Sequence, residues 1–461
     1  MFSTAAIKPM CTYPGLSKLY SAKSRTFTQI IHMKKTAAAV SLLIAITSCH
    51  NKKIITDTAF CDSLIQHYQA PATIKDNAAE IEFWGKRISP NTVGYINELQ
   101  YAGALAGRFH LLGDIRDIKS ADSILFSVDS AYNHKEAAPN LSLANHFMQE
   151  HRFKEAKGYF LKATAIGLKP YDYYSTSFDV NLELGNYAGA FRDLQAIKKE
   201  NDYGYHFRES KWEHYNGNME TAISAMQKAI VLAGSNIILQ QAALSNTADL
   251  YLHDGKLEKA NELYMQSLRL NIADWHSLMG IGWIALVHDK NDSLAANIFA
   301  FVSTKTKSPD PLFKLVQVAE ASNDKALQQK YAAAFEKKVT DTLYGNMYNK
   351  YLLDLYTGIL NKPAAAEALA KNELNNRATP QTYAWYAYAL FSNHKNEEAY
   401  AVYKQYVSGK PLEALELYWI GKMMQGMHQG FNAIGYFKSA YKNRYDLSPA
   451  KIKDLENMPG I

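Results

Sequence analysis

The chain has 461 residues, 48% hydrophobic and 12% aromatic, with 31 Tyr against 6 Trp and a formal net charge of +6. The charge is local: residues 1–48 hold Lys8, Lys18, Lys23, Arg25, Lys34 and Lys35 and no acidic residue, and the remainder balances at 44 basic against 44 acidic. A neutral working part argues against a general nucleic-acid surface, which rests on neutralising phosphates. Cys61, the one cysteine after Cys49, can form no internal disulfide, and scarce Pro (13) and Gly (24) favour helix.

The first element is an apolar run, Ala37 to Ser48, preceded by Met33, Lys34 and Lys35 and ended by Cys49. A basic start, a short apolar stretch and small residues before a processing point make an export signal. Its dozen or so residues fall short of the roughly 20 that span a bilayer, so 33–48 reads as a cleaved signal peptide. Ile46, Thr47, Ser48 and Cys49 occupy −3 to +1 of a pattern that resembles the lipobox of bacterial lipoproteins. The resemblance implies acylation of the Cys49 thiol and a mature chain held to an envelope membrane by lipid. His50, standing where Asp would mark retention, implies the outer membrane by the same analogy. With Met33 as the start, residues 1–32 read as a gene-model extension or an unstructured leader.

Residues 49–90 read as a tether and an N-terminal cap. A weak helical pattern runs from Thr56 to Tyr68. A second, Glu80 to Ile88, carries Phe83 and Trp84 and breaks at Ser89-Pro90-Asn91, because proline disfavours helix in the residue before it.

From about residue 91 an alanine recurs after each turn signal: Ala121, Ala156, Ala190, Ala222, Ala260, Ala295, Ala326, Ala366, Ala399 and Ala433. The steps are 35, 34, 32, 38, 35, 31, 40, 33 and 34 residues. A large apolar residue often follows four places on (Leu125, Phe160, Leu194, Met226, Tyr264, Phe299, Tyr403, Phe437), and a small or aliphatic one at seven. That spacing is one face of a helix. Polar turns precede the anchors, as in Leu184-Gly185-Asn186 and His253-Asp254-Gly255, where glycine suits the left-handed residue that closes a helix. An apolar helix precedes each turn, as in Leu244 to Leu252. The unit is helix, turn, helix.

This pattern resembles the tetratricopeptide repeat. The unit Leu417, Ile420, Gly421, Met424, Ala433, Phe437 and Ala440 fills the family's seven apolar or small positions. The resemblance implies an all-α superhelix of about 9–10 repeats over 91–440, with a concave groove. Lys330 and Ala370 depart from the large apolar residue at the fourth place, which makes 303–375 irregular. Ser448 and Pro449 then open a C-terminal capping helix within 441–461.

Motifs for catalysis, metal or cofactor are missing from the sequence: it has no HExxH, CxxC, P-loop or GxSxG. His146 and His151 lie five apart, on different helix faces. Asp289-Lys290-Asn291-Asp292 reads as a turn with an N-cap rather than half a calcium loop. Six Asp-Ser/Thr-aliphatic triplets, such as Asp122-Ser123-Ile124, resemble the O-glycosylation motif of exported Bacteroidetes proteins; helix N-caps explain them more simply. Tyr and Trp are enriched at binding surfaces, so Trp275, Trp283, Tyr386 and Tyr388 are the candidate groove contacts. The expected protein is not an enzyme and has no cofactor or metal. It is a lipid-anchored adaptor that takes a protein or peptide in its groove. The alternative is a glycan-binding surface lipoprotein of the starch-utilisation type, which requires exposed aromatic platforms at one site.

Overall fold

The computed structural model describes residues 53–461, apart from Pro90 and Thr342. Cys49, the signal segment and residues 1–32 lie outside it. Two helices, α1 (Thr58–Gln66) and α2 (Ala72–Gly85), precede ten helical hairpins. The first five are α3 (Ile96–Leu112) with α4 (Ile115–Ala131), α5 (Ala137–Gln149) with α6 (Phe153–Ile166), α7 (Pro170–Glu183) with α8 (Tyr187–Ala196), α9 (Tyr203–Tyr215) with α10 (Met219–Leu232), and α11 (Ile237–His253) with α12 (Leu257–Leu270). Then come α13 (Trp275–Ile284) with α14 (Asp292–Lys305), α15 (Asp310–Ala321) with α16 (Lys325–Val339), α17 (Asn349–Thr357) with α18 (Pro363–Asn376), α19 (Pro380–Ser392) with α20 (Asn396–Val402), and α21 (Ala414–Gly426) with α22 (Gly430–Lys442). Helix α23 (Pro449–Glu456) ends the chain. The architecture is an all-α, tetratricopeptide-like solenoid.

Every hairpin turns on one left-handed residue: Gly113, His151, Gly185, Gly217, Gly255, Lys290, Asn323, Asn361, His394 and His428 all have positive φ. The next residue is the N-cap of the second helix. Where that residue is Asp114, Asn186, Asn291 or Asp324, its side chain accepts from a first-turn amide. The buried anchor lies five residues past the left-handed one. In most hairpins it is the alanine read from the sequence. In α16 it is Gln328, followed by buried Ala332 and Phe335, whereas Ala326 and Lys330 are exposed. In α4 the equivalent residue is Ile118, three places before Ala121, and both are fully buried. The 31- and 40-residue steps thus come from a frame two residues early; the fold's own steps there are even closer to regular.

Small anchors let the paired helices touch. A Cβ on Gly421 would stand 2.5 Å from the Phe437 ring, and one on Gly282 would stand 2.9 Å from Phe299. Extra residues before α17 are absorbed by turns that bury Tyr344, Met347 and Tyr348. Helices α13 and α20 each continue into a π-helical turn, Ala285–Asp289 and Tyr403–Val407. Ser448 takes the N-cap position of α23 in extended conformation, but its hydroxyl makes no cap bond.

The solenoid closes on itself. Thr306 Oγ1 and the Lys307 amide both donate to the Leu112 carbonyl at 2.7 Å, and Arg377 pairs with Glu183 at 3.2 Å. His253 pairs with Asp446. The sequence separations are 194, 194 and 193 residues. In the first two cases the end of a hairpin's first helix meets the loop that enters the sixth hairpin beyond it, and in the third it meets the loop that enters the terminal helix α23. This recurring seam joins successive superhelical turns edge to edge. One apolar core follows it, running from Cys61 of α1 through α10–α14 to α20–α23.

Helix α1 straps the seam. Asp289, at the end of the sixth hairpin's first helix, accepts from the amides of Ile55 (3.1 Å) and Thr56 (2.9 Å) and from Thr56 Oγ1 (2.7 Å). Asn261 Nδ2 donates to the Ile55 carbonyl at 3.2 Å, and Tyr68 packs on Trp275 and Phe301. Helix α2 then packs on α3 and begins the first superhelical turn.

Candidate functional site

The C-terminal segment identifies the inner face of the coil. Tyr445 takes the Trp283 indole N–H at 2.6 Å, Asp446 meets His253, and Lys451 pairs with Asp354 at 2.9 Å. Asp454 accepts from Tyr418 at 2.7 Å, and α23 packs on α15. One short segment reaches α11, α13, α15, α17 and α21 together only because these first helices face a common interior.

That interior is polar where the hairpins were expected to be apolar. Asp249 on α11 accepts from Tyr264 at 2.5 Å and from His276 Nε2 at 2.9 Å. Burial alone would raise the Asp249 carboxyl, but His276 and the Tyr264 hydroxyl hold it below the usual range. Asp249 in turn raises His276, whose side chain is 47% exposed to the interior space. Burial disfavours charge on His253, yet Asp446 prevails and pushes its pKa up to about 9. His214, stacked on His253 at 5.3 Å, is driven down to about 4 by burial and by that neighbouring charge. Lys314 lies 3.5 Å over the Trp283 ring, where burial lowers it to about 8. Lys350 holds Glu413 at 2.7 Å and Glu416 at 2.9 Å, and the Trp385 indole donates to Glu416 at 2.7 Å. No cluster of three or more His, Cys, Asp or Glu side chains among the described residues has metal-site geometry.

A cavity of about 220 Å³ opens among α15, α17, α19, α21 and α23. Of the four candidate groove contacts, only Tyr388 lines it, stacked on Trp419 with centroids 5.4 Å apart. Tyr386, two residues away, is half-buried and outside the lining. Trp275 and Trp283 are buried in the seam, 8% and 5% exposed. Their indole N–H groups are committed to the Leu111 and Tyr445 carbonyls, so both act as turn-to-turn ties. The structure does not bring the four residues together.

The ionic interior went unread in the sequence, although it left a signal: single charges inside apolar runs, Asp249 within Leu244 to Leu252 and Lys314 within Leu312 to Val316. The N-cap explanation of the Asp-Ser/Thr triplets fits Asp57, which caps α1. It fails for Asp122 and Asp129, which lie inside α4 and are buried against His146 and against Asn140 and His134. The segment Asp289 to Asp292 is a turn capped by Asn291, as expected, and it also holds the strap.

No protein-family model and no curated protein matches the sequence. Among solved structures the chain is similar to Pseudomonas aeruginosa pilF, with 13% identity over 46% of this chain and 96% of that one and a TM-score of 0.34. It is similar to a tetratricopeptide repeat protein from Parabacteroides merdae, with 17% identity over 62% and 97% of the two chains and a TM-score of 0.33. It is also similar to yeast Tom70, with 12% identity over 77% and 95% and a TM-score of 0.34. The fold assignment rests on this chain's own hairpins.

Proposed function

We propose that this protein is a lipid-anchored, tetratricopeptide-like adaptor that holds a protein or peptide partner at a bacterial envelope membrane. The observation that carries the reading is the array itself: ten stacked hairpins, an architecture that presents extended surface to a partner. Position supports the tether. The described chain starts at Lys53, four residues after Cys49, and binds Asp289 through Ile55 and Thr56, with Ile54 68% exposed between. A lipid at Cys49 would hang the whole coil from its strapped edge. Among the described residues no helix is long and apolar enough to cross a membrane, so attachment would fall to the lipid.

The test is expression from Met33 beside a Cys49→Ala variant. The parent takes up labelled palmitate and sediments with membranes, and the variant does neither. Equal solubility of both without label sinks the anchor. Partners are sought by crosslinking the anchored parent in intact envelope, with the Cys49→Ala protein as the unanchored comparison.

A further inference from the structure

We propose that the cavity between α15 and α23 binds a small organic ammonium ion. The inference is independent of the anchor and of any protein partner.

The lining is aromatic on one side. Tyr388 and Trp419 are parallel within 10° and are joined by the rings of Tyr418 and Phe313. Ring faces carry negative potential and attract cations, more strongly where water is excluded.

The other side offers acceptors that lack donors. Gln317 Oε1 is buried and has no hydrogen-bond partner. Glu320 lines the same space and makes no hydrogen bond or direct ion pair among the described residues, while its charge, after that of Asp354, helps hold the Lys451 ammonium protonated. The donors nearby are already engaged: Lys451 with Asp354, and the Tyr418 hydroxyl with Asp454. With Asp354 neutralised by Lys451, the lining keeps one net negative charge, on Glu320. A buried acceptor left unpaired costs roughly 1–3 kcal/mol. An ammonium group supplies both N–H donors and the missing positive charge, and its carbon body takes the aromatic wall. An anion would meet Glu320, and a neutral apolar molecule would leave Gln317 unpaired.

Size agrees with a small ligand. A cavity of roughly 150 Å³ accommodates benzene, and this one is about 220 Å³. Benzylammonium is therefore a suitable probe, and benzyl alcohol is its neutral counterpart of equal heavy-atom count.

Calorimetry and tryptophan fluorescence on the full chain at neutral pH test the assignment. Benzylammonium should bind and change tryptophan emission, and benzyl alcohol should bind at least tenfold more weakly. Glu320→Gln keeps the shape and removes the charge, and should weaken benzylammonium by roughly 10- to 100-fold, as expected for a charge-assisted hydrogen bond. Gln317→Leu should weaken it less. Both variants should melt as the parent does, because neither side chain holds another element. Equal binding of amine and alcohol overturns the proposal, as does indifference to Glu320→Gln or no binding at millimolar probe. Saturable binding of glucose in place of the amine would overturn it as well, and would turn the aromatic wall toward the glycan reading.

Discussion

At the scale of single residues, a hairpin turn and a loop between hairpins separate two uses of glycine. Gly113 and Gly234 both have positive φ, 69° and 54°. A Cβ on Gly113 would stand 2.7 Å from the Ser308 amide nitrogen across the seam, whereas one on Gly234 would meet open space. Left-handed backbone costs a residue with a Cβ roughly 1–2 kcal/mol, and overpacking adds about 1–3 kcal/mol. Gly234→Ala should therefore cost about 1 kcal/mol in urea unfolding and Gly113→Ala about 3 kcal/mol. Equal losses would mean that the loop at Ser308 yields freely. Only half of this was visible in the sequence. Gly185, Gly217 and Gly255 announced their turns, because glycine is the default left-handed residue. His151, His394 and His428 hold the same conformation without announcing it.

At the scale of elements, the strap α1 was read as a weak helix and a tether. Its docking depends on Asp289, whose side chain is 1% exposed and which sits more than 230 residues away in the chain. No local pattern encodes such a pairing. Cys61 reports on the strap: it is fully buried, and burial followed by Asp57 and Asp62 pushes its thiol up to about 12. A protonated, covered thiol reacts slowly. Asp289→Ala leaves the Ile55 and Thr56 donors without their acceptor, so alkylation at Cys61, located by mass spectrometry of peptides, should accelerate by tenfold or more while the hairpins keep their helical signal. An unchanged rate would show that apolar contacts alone hold α1. The frame slip in α16 belongs to this scale too. The sequence supplied an alanine two residues before the true anchor, and the turn there offered Asn323 instead of glycine. Composition outvoted geometry until the buried Gln328, Ala332 and Phe335 showed the register.

For the whole molecule, the seam changes the thermodynamics of a solenoid. A stack in which each unit touches only its neighbours unfolds as a nearly one-dimensional chain. Here hairpins five and six units apart also hold each other, and the interior charges are part of that grip. His253 has a folded pKa near 9, above its ordinary 6.5. Its contribution is complete below the ordinary value and is lost as pH rises through about 9. The melting temperature of the parent should thus exceed that of Asp446→Asn most near pH 6, and the gap should close by about pH 10. A gap that ignores pH would place the worth of the pair outside the ionised state. The helix-turn-helix units, read as about 9–10, were legible because they repeat locally every 34 residues or so. The seam was not, since residues 194 apart share no periodic mark, and its two indoles, Trp275 and Trp283, looked like ligand contacts instead.

The constant spacing of that seam also constrains how such a chain can change over generations. Open arrays lengthen or shorten by copying or dropping one unit, since each new unit needs only its neighbours. In this coil a unit gained or lost between His253 and Thr306 lies inside all three closures, and Lys307, Arg377 and Asp446 would all miss their partners at once. The unit count within a revolution behaves like the tooth count of a gear: it is fixed by meshing, and variation in length is left to the two ends.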